Sequence, residues 1–224
     1  MLDDLCRSLA GDGHEVFLYA TGDSTCPVER AWTFETAQGT EFVSPAAELR
    51  HVTDAYDAVR LWAPDIVHDH TIGGPFYAQR HPELAVVTTN HGPFDGDLAP
   101  LYRRLAGRVP IIAISHHQAA TARGTATTAV IHHGVDLDAF PVGNGRDGHA
   151  LFLGRMSPDK GVHTAAQVAR AAGVPLRIAA KMRESVEHEY FNQWVKPLLG
   201  GGSNTSVRSA AMQKSPSWRT QCAC

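Results

Sequence analysis

Two cations at the mouth of a short apolar stretch are the residues best suited to chemistry. Leu151-Phe-Leu153 runs into Gly154 and Arg155, and five residues further on stand Lys160 and Gly161, ahead of a helical pattern. A strand, a tight turn with two fixed cations and a helix N-terminus make a site for a doubly charged phosphate group. Guanidinium and ammonium give charge-assisted hydrogen bonds, and the first N–H groups of the helix favour negative charge. The plainer alternative is an ordinary strand–loop–helix joint with two solvated cations. Histidines form the second group: His68, His70, His91, His116 and His133 fall just past the ends of expected strands, together with Ser115 and Gly134.

The elements that must position these residues alternate between strand and helix. Leu2, Leu5, Cys6 and Leu9 share one face of a helix that Gly11 and Gly13 end. Strands are expected over 14–20, 65–69, 85–89, 109–114 and 128–132, and a helix over 54–62 that Pro64 stops. Tyr102, Arg103 and Arg104 read as a solvated helix face, and Trp62, Phe191 and Trp194 as core or domain-contact residues. The stretch 141–149 is polar and glycine-rich and reads as a linker. After it the pattern restarts, with a strand at 150–153, a helix at 161–172, a strand at 175–180 and helical residues 185–195. Short apolar strands spaced by helices indicate an α/β fold with a parallel sheet covered on both faces. Ligands of such sheets bind beyond the carboxyl ends of the strands, where the histidines and Arg155 lie.

Composition narrows the function classes. The 224 residues are 43% hydrophobic and 19% charged, with a net charge of -3, which gives no reason to expect nucleic acid as a partner. No apolar run reaches the roughly 18–20 residues of a transmembrane segment. The first residues lack the basic and apolar regions of a signal peptide. Cys6, Cys26, Cys222 and Cys224 have no zinc or redox spacing. These features predict a cytoplasmic protein. His68 and His70, one residue apart on a strand, also suit a metal-dependent hydrolase, with His91, His116, His132 and Asp136 as further ligands. That alternative requires an eight-stranded barrel, for which the chain is short.

Taken in order, Gly11-Asp-Gly-His-Glu-Val16, Pro64-Asp-Ile-Val-His-Asp-His70, Thr89-Asn-His-Gly92, Ala113-Ile-Ser115, Val130-Ile-His-His-Gly-Val-Asp136 and Leu153-Gly-Arg155 with Lys160-Gly161 resemble the family 4 glycosyltransferases over about residues 1–200. The resemblance implies a GT-B fold: a Rossmann-like, acceptor-side domain over 1–143, and the start of a nucleotide-sugar-binding domain over 149–202, an incomplete second Rossmann-like unit. It implies a hexosyltransferase-like enzyme that moves a sugar from a nucleotide-diphosphate donor to an acceptor hydroxyl with retention. The acceptor is left open among sugar, lipid and small molecule, and peripheral membrane contact stays open with it.

Carried onto this sequence, the resemblance makes Arg155 and Lys160 the grip on the donor diphosphate, with Gly154 and Gly161 beside them. It needs no cofactor and no metal, arginine and lysine replacing a divalent ion. His91 takes the place of a histidine near the sugar, so His91, Arg155 and Lys160 are the candidate catalytic residues. His68, His70, Ser115, His133 and Gly134 would line the crevice; the family often has Asn-Gly where His133-Gly134 stands. Two departures accompany the match. The family fold begins with a central strand and a glycine-rich loop ahead of the helix at 2–9, and it later carries two glutamates eight residues apart. Neither has a counterpart here. The expectation is a chain truncated at both ends, with 203–224 an aberrant, disordered tail that is neither strand nor helix. An inactive fragment, or a binding half-protein that pairs with another chain, is the corresponding alternative.

Overall fold

The computed structural model describes residues 1–37, 45–139, 142, 148–182 and 184–199, and the backbone of 206–209. The chain divides into two units, Met1–Val135 and Asp136–Cys224. Most of the stretch read as a linker, and residues 203–205 and 210–224 of the stretch read as a tail, lie outside the described residues.

The first unit opens with helix α1 (Leu2–Gly11), which carries Asp3 and Asp4 in its first turn, where the helix dipole favours anions, and buries Cys6. Strand β1 (Phe17–Ala20) starts three residues later than the apolar pattern suggests. It pairs in parallel with β2 (Glu29–Trp32), whose mixed sequence Glu-Arg-Ala-Trp gives no strand signal. Helix α2 (Pro45–Trp62) begins well before the expected Asp54 and ends at Ala63, whose φ is +56°. Its Trp62 ring stacks on Phe17 at 5.4 Å and its His51 meets Tyr19 edge-on at 5.3 Å.

Strand β3 (Val67–Asp69), helix α3 (Gly74–Tyr77), strand β4 (Val86–Asn90), helix α4 (Ala99–Leu105), strand β5 (Ile111–Ala113), helix α5 (His116–Thr121) and strand β6 (Ala129–Val130) follow. The strands form a parallel sheet in the order β3-β4-β5-β6. Val52 and Tyr56 of α2, Phe94, Tyr102 and Leu105 around α4, and Ile111 of β5 make one core. Burying each of the large apolar side chains stabilises the unit by roughly 1.5–3 kcal/mol. Tyr102 is 3% exposed, so the solvated face expected of α4 is confined to Arg103 and Arg104. Among the described residues β1 pairs only with β2 and β3 only with β4, so one edge of each is unpaired.

The second unit consists of strand β7 (Ala150–Arg155), helix α6 (Val162–Ala171), strand β8 (Leu176–Lys181), helix α7 (Ser185–Tyr190) and strand β9 (Ser206–Ser209). Its parallel sheet runs β7-β8-β9. The presence of β9 corrects the reading of 203–224 as neither strand nor helix, because backbone pairing with β8 imposes a strand on Ser-Val-Arg-Ser. Met156, Val162, Ala166, Leu176, Ile178, Tyr190 and Val195 form its core. The helical stretch expected over 185–195 passes into a π-helical turn at Phe191–Val195. That turn leaves Trp194 55% exposed and therefore outside the core of this unit.

Candidate functional site

The loop that leaves β3 is held by carboxylates. Asp69 is buried, and its Oδ1 accepts hydrogen bonds from the Thr71 N–H at 2.7 Å and the Thr71 hydroxyl at 2.8 Å. Its Oδ2 accepts from the Tyr56 hydroxyl at 2.8 Å. Burial and that carboxylate push the Tyr56 phenol up from its ordinary value. Thr71 Oγ1 in turn accepts from the Gly74 N–H, and Glu48 Oε1 accepts from the N–H groups of Ile72 and Gly73 at 2.9 Å each. A side chain at Gly74 would collide with the Asp69 carboxylate. The loop therefore starts from a fixed position, and His70 sits at its first residue.

His70 gathers other imidazoles around it. Its Nδ1 lies 2.8 Å from His91 Nε2, at the carboxyl end of β4. The His68 ring lies against it, centroids 4.2 Å apart, and His68 Nε2 is 2.7 Å from Thr89 Oγ1. The ring of His133, just past β6, is 5.3 Å from that of His91 and tilted by 17°. Burial, then the charges of His68, His91 and His133, push the His70 imidazole down to about 3. Burial also lowers His68, and burial with His133 and His68 lowers His91. His68, His70 and His91 are therefore neutral at pH 7, and they act as hydrogen-bond donors and acceptors rather than as cations.

A second network fixes the turn that carries His91. Asn90 Oδ1 accepts from the Gly92 N–H at 3.0 Å, and its Nδ2 donates to Gly92 O at 2.9 Å. Gln118 Nε2 donates to Asn90 O at 2.9 Å and to Gly92 O at 2.5 Å, while its Oε1 accepts from the Ile114 N–H at 2.7 Å. Ser115, expected to line the crevice, caps α5: its hydroxyl accepts from the Gln118 N–H at 3.0 Å. Asp136 likewise accepts from the Asp138 N–H at 3.0 Å.

In the second unit β7 delivers Arg155 at its last residue, and the chain reaches α6 through a 3₁₀ turn at Pro158–Lys160 and Gly161. Gly161 has a φ of +71°, which a side chain would strain. At Gly154 a Cβ would come within 3.2 Å of the Phe152 ring and 3.9 Å of the Lys160 Cβ, so the glycine lets the turn fold back on the strand. Lys160 is 54% exposed, its Nζ 3.6 Å from Asp159 Oδ2. Arg155 Nε is 3.8 Å from Glu187 Oε1. Both cations thus stand in solvent on the turn that leads into α6, where an anion can be held.

Of the residues singled out in the sequence, His68, His70, His91 and His133 come together in the first unit, as do Gly154, Arg155, Lys160 and Gly161 in the second. Gly134 is exposed, and a Cβ added there would meet nothing within 4 Å. His116 pairs instead with His132, edge to face at 5.6 Å. Glu48, Tyr56, Asp69, Asn90, Gln118 and Glu187 were not singled out. Asp69 stands inside the quoted Pro64–His70 stretch, but nothing in that stretch indicates a partner 13 residues upstream. The hydrolase alternative finds no support: the sheets are open and parallel rather than a barrel, and among the described residues no three His, Cys, Asp or Glu side chains converge as a metal site.

Comparison with known proteins bears on the fold and the family. The family model described as Glycosyltransferase Family 4 matches residues 1–139. The crystal structure of AviGT4, a glycosyltransferase involved in avilamycin A biosynthesis, superposes with a TM-score of 0.62 at 23% identity over 94% of this chain, which shows a shared fold. This chain spans 55% of the length of that one. MurG from Acinetobacter baumannii aligns at a TM-score of 0.47 and 11% identity, over 99% of this chain and 66% of its own. No curated protein matches the sequence. No helix among the described residues is long and apolar enough to cross a membrane.

Proposed function

The chain belongs to glycosyltransferase family 4, and from that premise we propose that it serves the transfer of a sugar, with retention, from a nucleotide-diphosphate sugar to an acceptor hydroxyl. The observation that carries this reading is the pair of solvent-facing cations, Arg155 and Lys160, on the turn from β7 to α6. When the bond to the sugar breaks, negative charge grows on the leaving diphosphate. Fixed cations that meet that charge stabilise the transition state more than the ground state. Gly154 and Gly161 keep the turn close enough for backbone N–H groups to join them.

The first unit supplies neutral polar groups. His91 is suited to hydrogen-bond a sugar hydroxyl, with His133 and Gly134 beside it and His68 behind His70. This part of the reading assigns His91, Arg155 and Lys160 to direct contact with substrate. It needs no metal and no cofactor, and it leaves sugar, lipid and small-molecule acceptors equally suited. The buried free thiols Cys6 and Cys26 suit a reducing compartment, which supports a cytoplasmic location.

The test is incubation of the purified chain with UDP-, GDP- and ADP-sugars while nucleotide release is followed, alongside calorimetric titration of the free nucleotide diphosphates. Binding that disappears in Arg155→Ala and Lys160→Ala is the expected result. Binding without release identifies a chain that holds the donor but does not turn it over. Nucleotide diphosphates that bind equally well to both variants overturn the reading.

A further inference from the structure

Two imidazoles that meet nitrogen to nitrogen share one proton. His70 Nδ1 and His91 Nε2 are 2.8 Å apart. The ring centroids are 5.1 Å apart with 23° between the planes, an edge-to-edge arrangement that an in-plane N–H···N bond requires. A neutral imidazole has one donor and one acceptor nitrogen, so either ring can supply the shared proton. When His70 donates, His91 carries its own proton on Nδ1 and presents a donor there. When His91 donates, its Nδ1 is bare and accepts, while His70 carries its proton on Nε2. In both states Nε2 of His91 is committed and Nδ1 is the nitrogen left for a ligand.

We propose that His70 is a positioning residue for His91: it holds the ring by Nε2 and sets whether Nδ1 meets a hydroxyl as donor or as acceptor. The proposal rests on the reading that His91 faces the transferred sugar or its acceptor. The bond persists only while the pair carries at most one extra proton, because two imidazolium rings would turn N–H against N–H. The surroundings enforce that limit. His68 lies against His70, and His133 lies beside His91. The neighbouring carboxylate in the chain, Asp69, is occupied by Tyr56 and Thr71. Burial and the neighbouring imidazoles keep both rings neutral. Interconverting the two neutral states therefore moves three protons together: the shared proton passes from His70 Nδ1 to His91 Nε2, His91 Nδ1 gives its proton to the ligand or to solvent, and His70 Nε2 takes one from its surroundings, so that neither ring is left charged.

Nitrogen NMR on the full chain labelled with ¹⁵N-histidine tests this without requiring turnover, since the ring shifts report tautomer and protonation separately for each residue. In the natural sequence His91 is expected to be held neutral to a lower pH than a free imidazole, with its Nε2 engaged in the inter-ring bond. In His70→Phe the Nε2 of His91 loses its partner, so the two ring-nitrogen shifts of His91 should move away from those of the natural chain, its tautomer no longer being fixed by the inter-ring bond. His70→Gln, whose amide can reach Nε2, should restore the natural pattern of shifts. In nucleotide-sugar turnover, kcat should fall about 10- to 100-fold in His70→Phe, the usual effect of losing a partner that orients a functional histidine, with the donor KM nearly unchanged. The glutamine variant should recover most of the rate.

Identical His91 shifts and titration in the natural chain and both variants overturn the proposal. If the phenylalanine variant does not fold, the natural chain decides: a His91 that protonates near about pH 6.5 with no inter-ring bond overturns it. Turnover that survives His91→Ala overturns the role given to His91 itself, and the proposal with it, even where the pairing is observed.

Discussion

Arg155 Nε lies 3.8 Å from Glu187 Oε1, and the two side chains occupy opposite environments, the arginine 58% exposed and the glutamate 4%. Glu187 is placed by its own helix, where it accepts from the Glu184 N–H at 3.2 Å and completes the capping box of α7. The arginine is therefore drawn toward an anion whose position is fixed by secondary structure, while its guanidinium stays free to meet a ligand.

That asymmetry separates function from stability. In a full-length version carrying out the proposed transfer, Arg155→Ala should lower nucleotide-sugar turnover by about 10²–10³, the scale for removing one charge-stabilising donor. It should change the unfolding free energy by less than about 1 kcal/mol, because a largely solvated pair contributes little. Glu187→Ala should show the opposite balance, losing about 1 kcal/mol or more with the cap. Urea unfolding of both variants beside nucleotide release checks the pattern; a large stability loss in Arg155→Ala would contradict it.

Tyr56→Phe tests the anchor of the loop that carries His70. The ring stays packed against Tyr77 and His81, and only the hydroxyl that donates to Asp69 is lost. A hydrogen bond to a buried carboxylate is worth about 1.5–3 kcal/mol, so the unfolding free energy should drop by that amount, as a lower urea midpoint with an unchanged slope. An unchanged midpoint would mean that Asp69 is satisfied without Tyr56.

These anchors mark the boundary of what the sequence reveals. Arg155, Lys160 and their glycines were legible because an apolar run, a glycine and a helical pattern are all local signals. The histidines at the strand ends were legible for the same reason. Tyr56 with Asp69, Gln118 with Asn90, and Arg155 with Glu187 are contacts between distant stretches that only the fold brings together, and no period in the sequence announces them. Strand β2 was missed because Glu29-Arg-Ala-Trp32 has no apolar alternation and is a strand only by pairing with β1. Ser206–Ser209 became a strand in the same way, through β8.

The neutral histidines set the acid stability of the first unit. His68, His70 and His91 bind protons more weakly in the fold than in the unfolded chain. For such groups the stabilisation is fully present above the unfolded value of about 6.5 and is lost as pH falls toward the folded value, about 3 for His70. Between those limits the unfolding free energy should fall by up to about 1.4 kcal/mol per pH unit for each fully shifted ring. His70→Phe should flatten this dependence between about pH 6.5 and 4. Urea midpoints at about pH 7.5, 6.0 and 4.5 for both proteins measure it; parallel curves would show that His70 is not the group responsible.

Gly134 gives the sharpest separation between a ligand site and a structural turn. A methyl group there meets nothing within 4 Å, and the backbone is outside the left-handed region that demands glycine. The fold therefore has no reason to resist alanine, and Gly134→Ala should leave the melting temperature unchanged or slightly raised, since it removes freedom from the unfolded chain. If a sugar or acceptor approaches the backbone beside His133, the same methyl group should raise the acceptor KM severalfold and leave nucleotide binding at Arg155 and Lys160 intact. Full activity in a fully stable Gly134→Ala variant would remove this residue from the crevice and confine ligand contact in the first unit to the imidazoles.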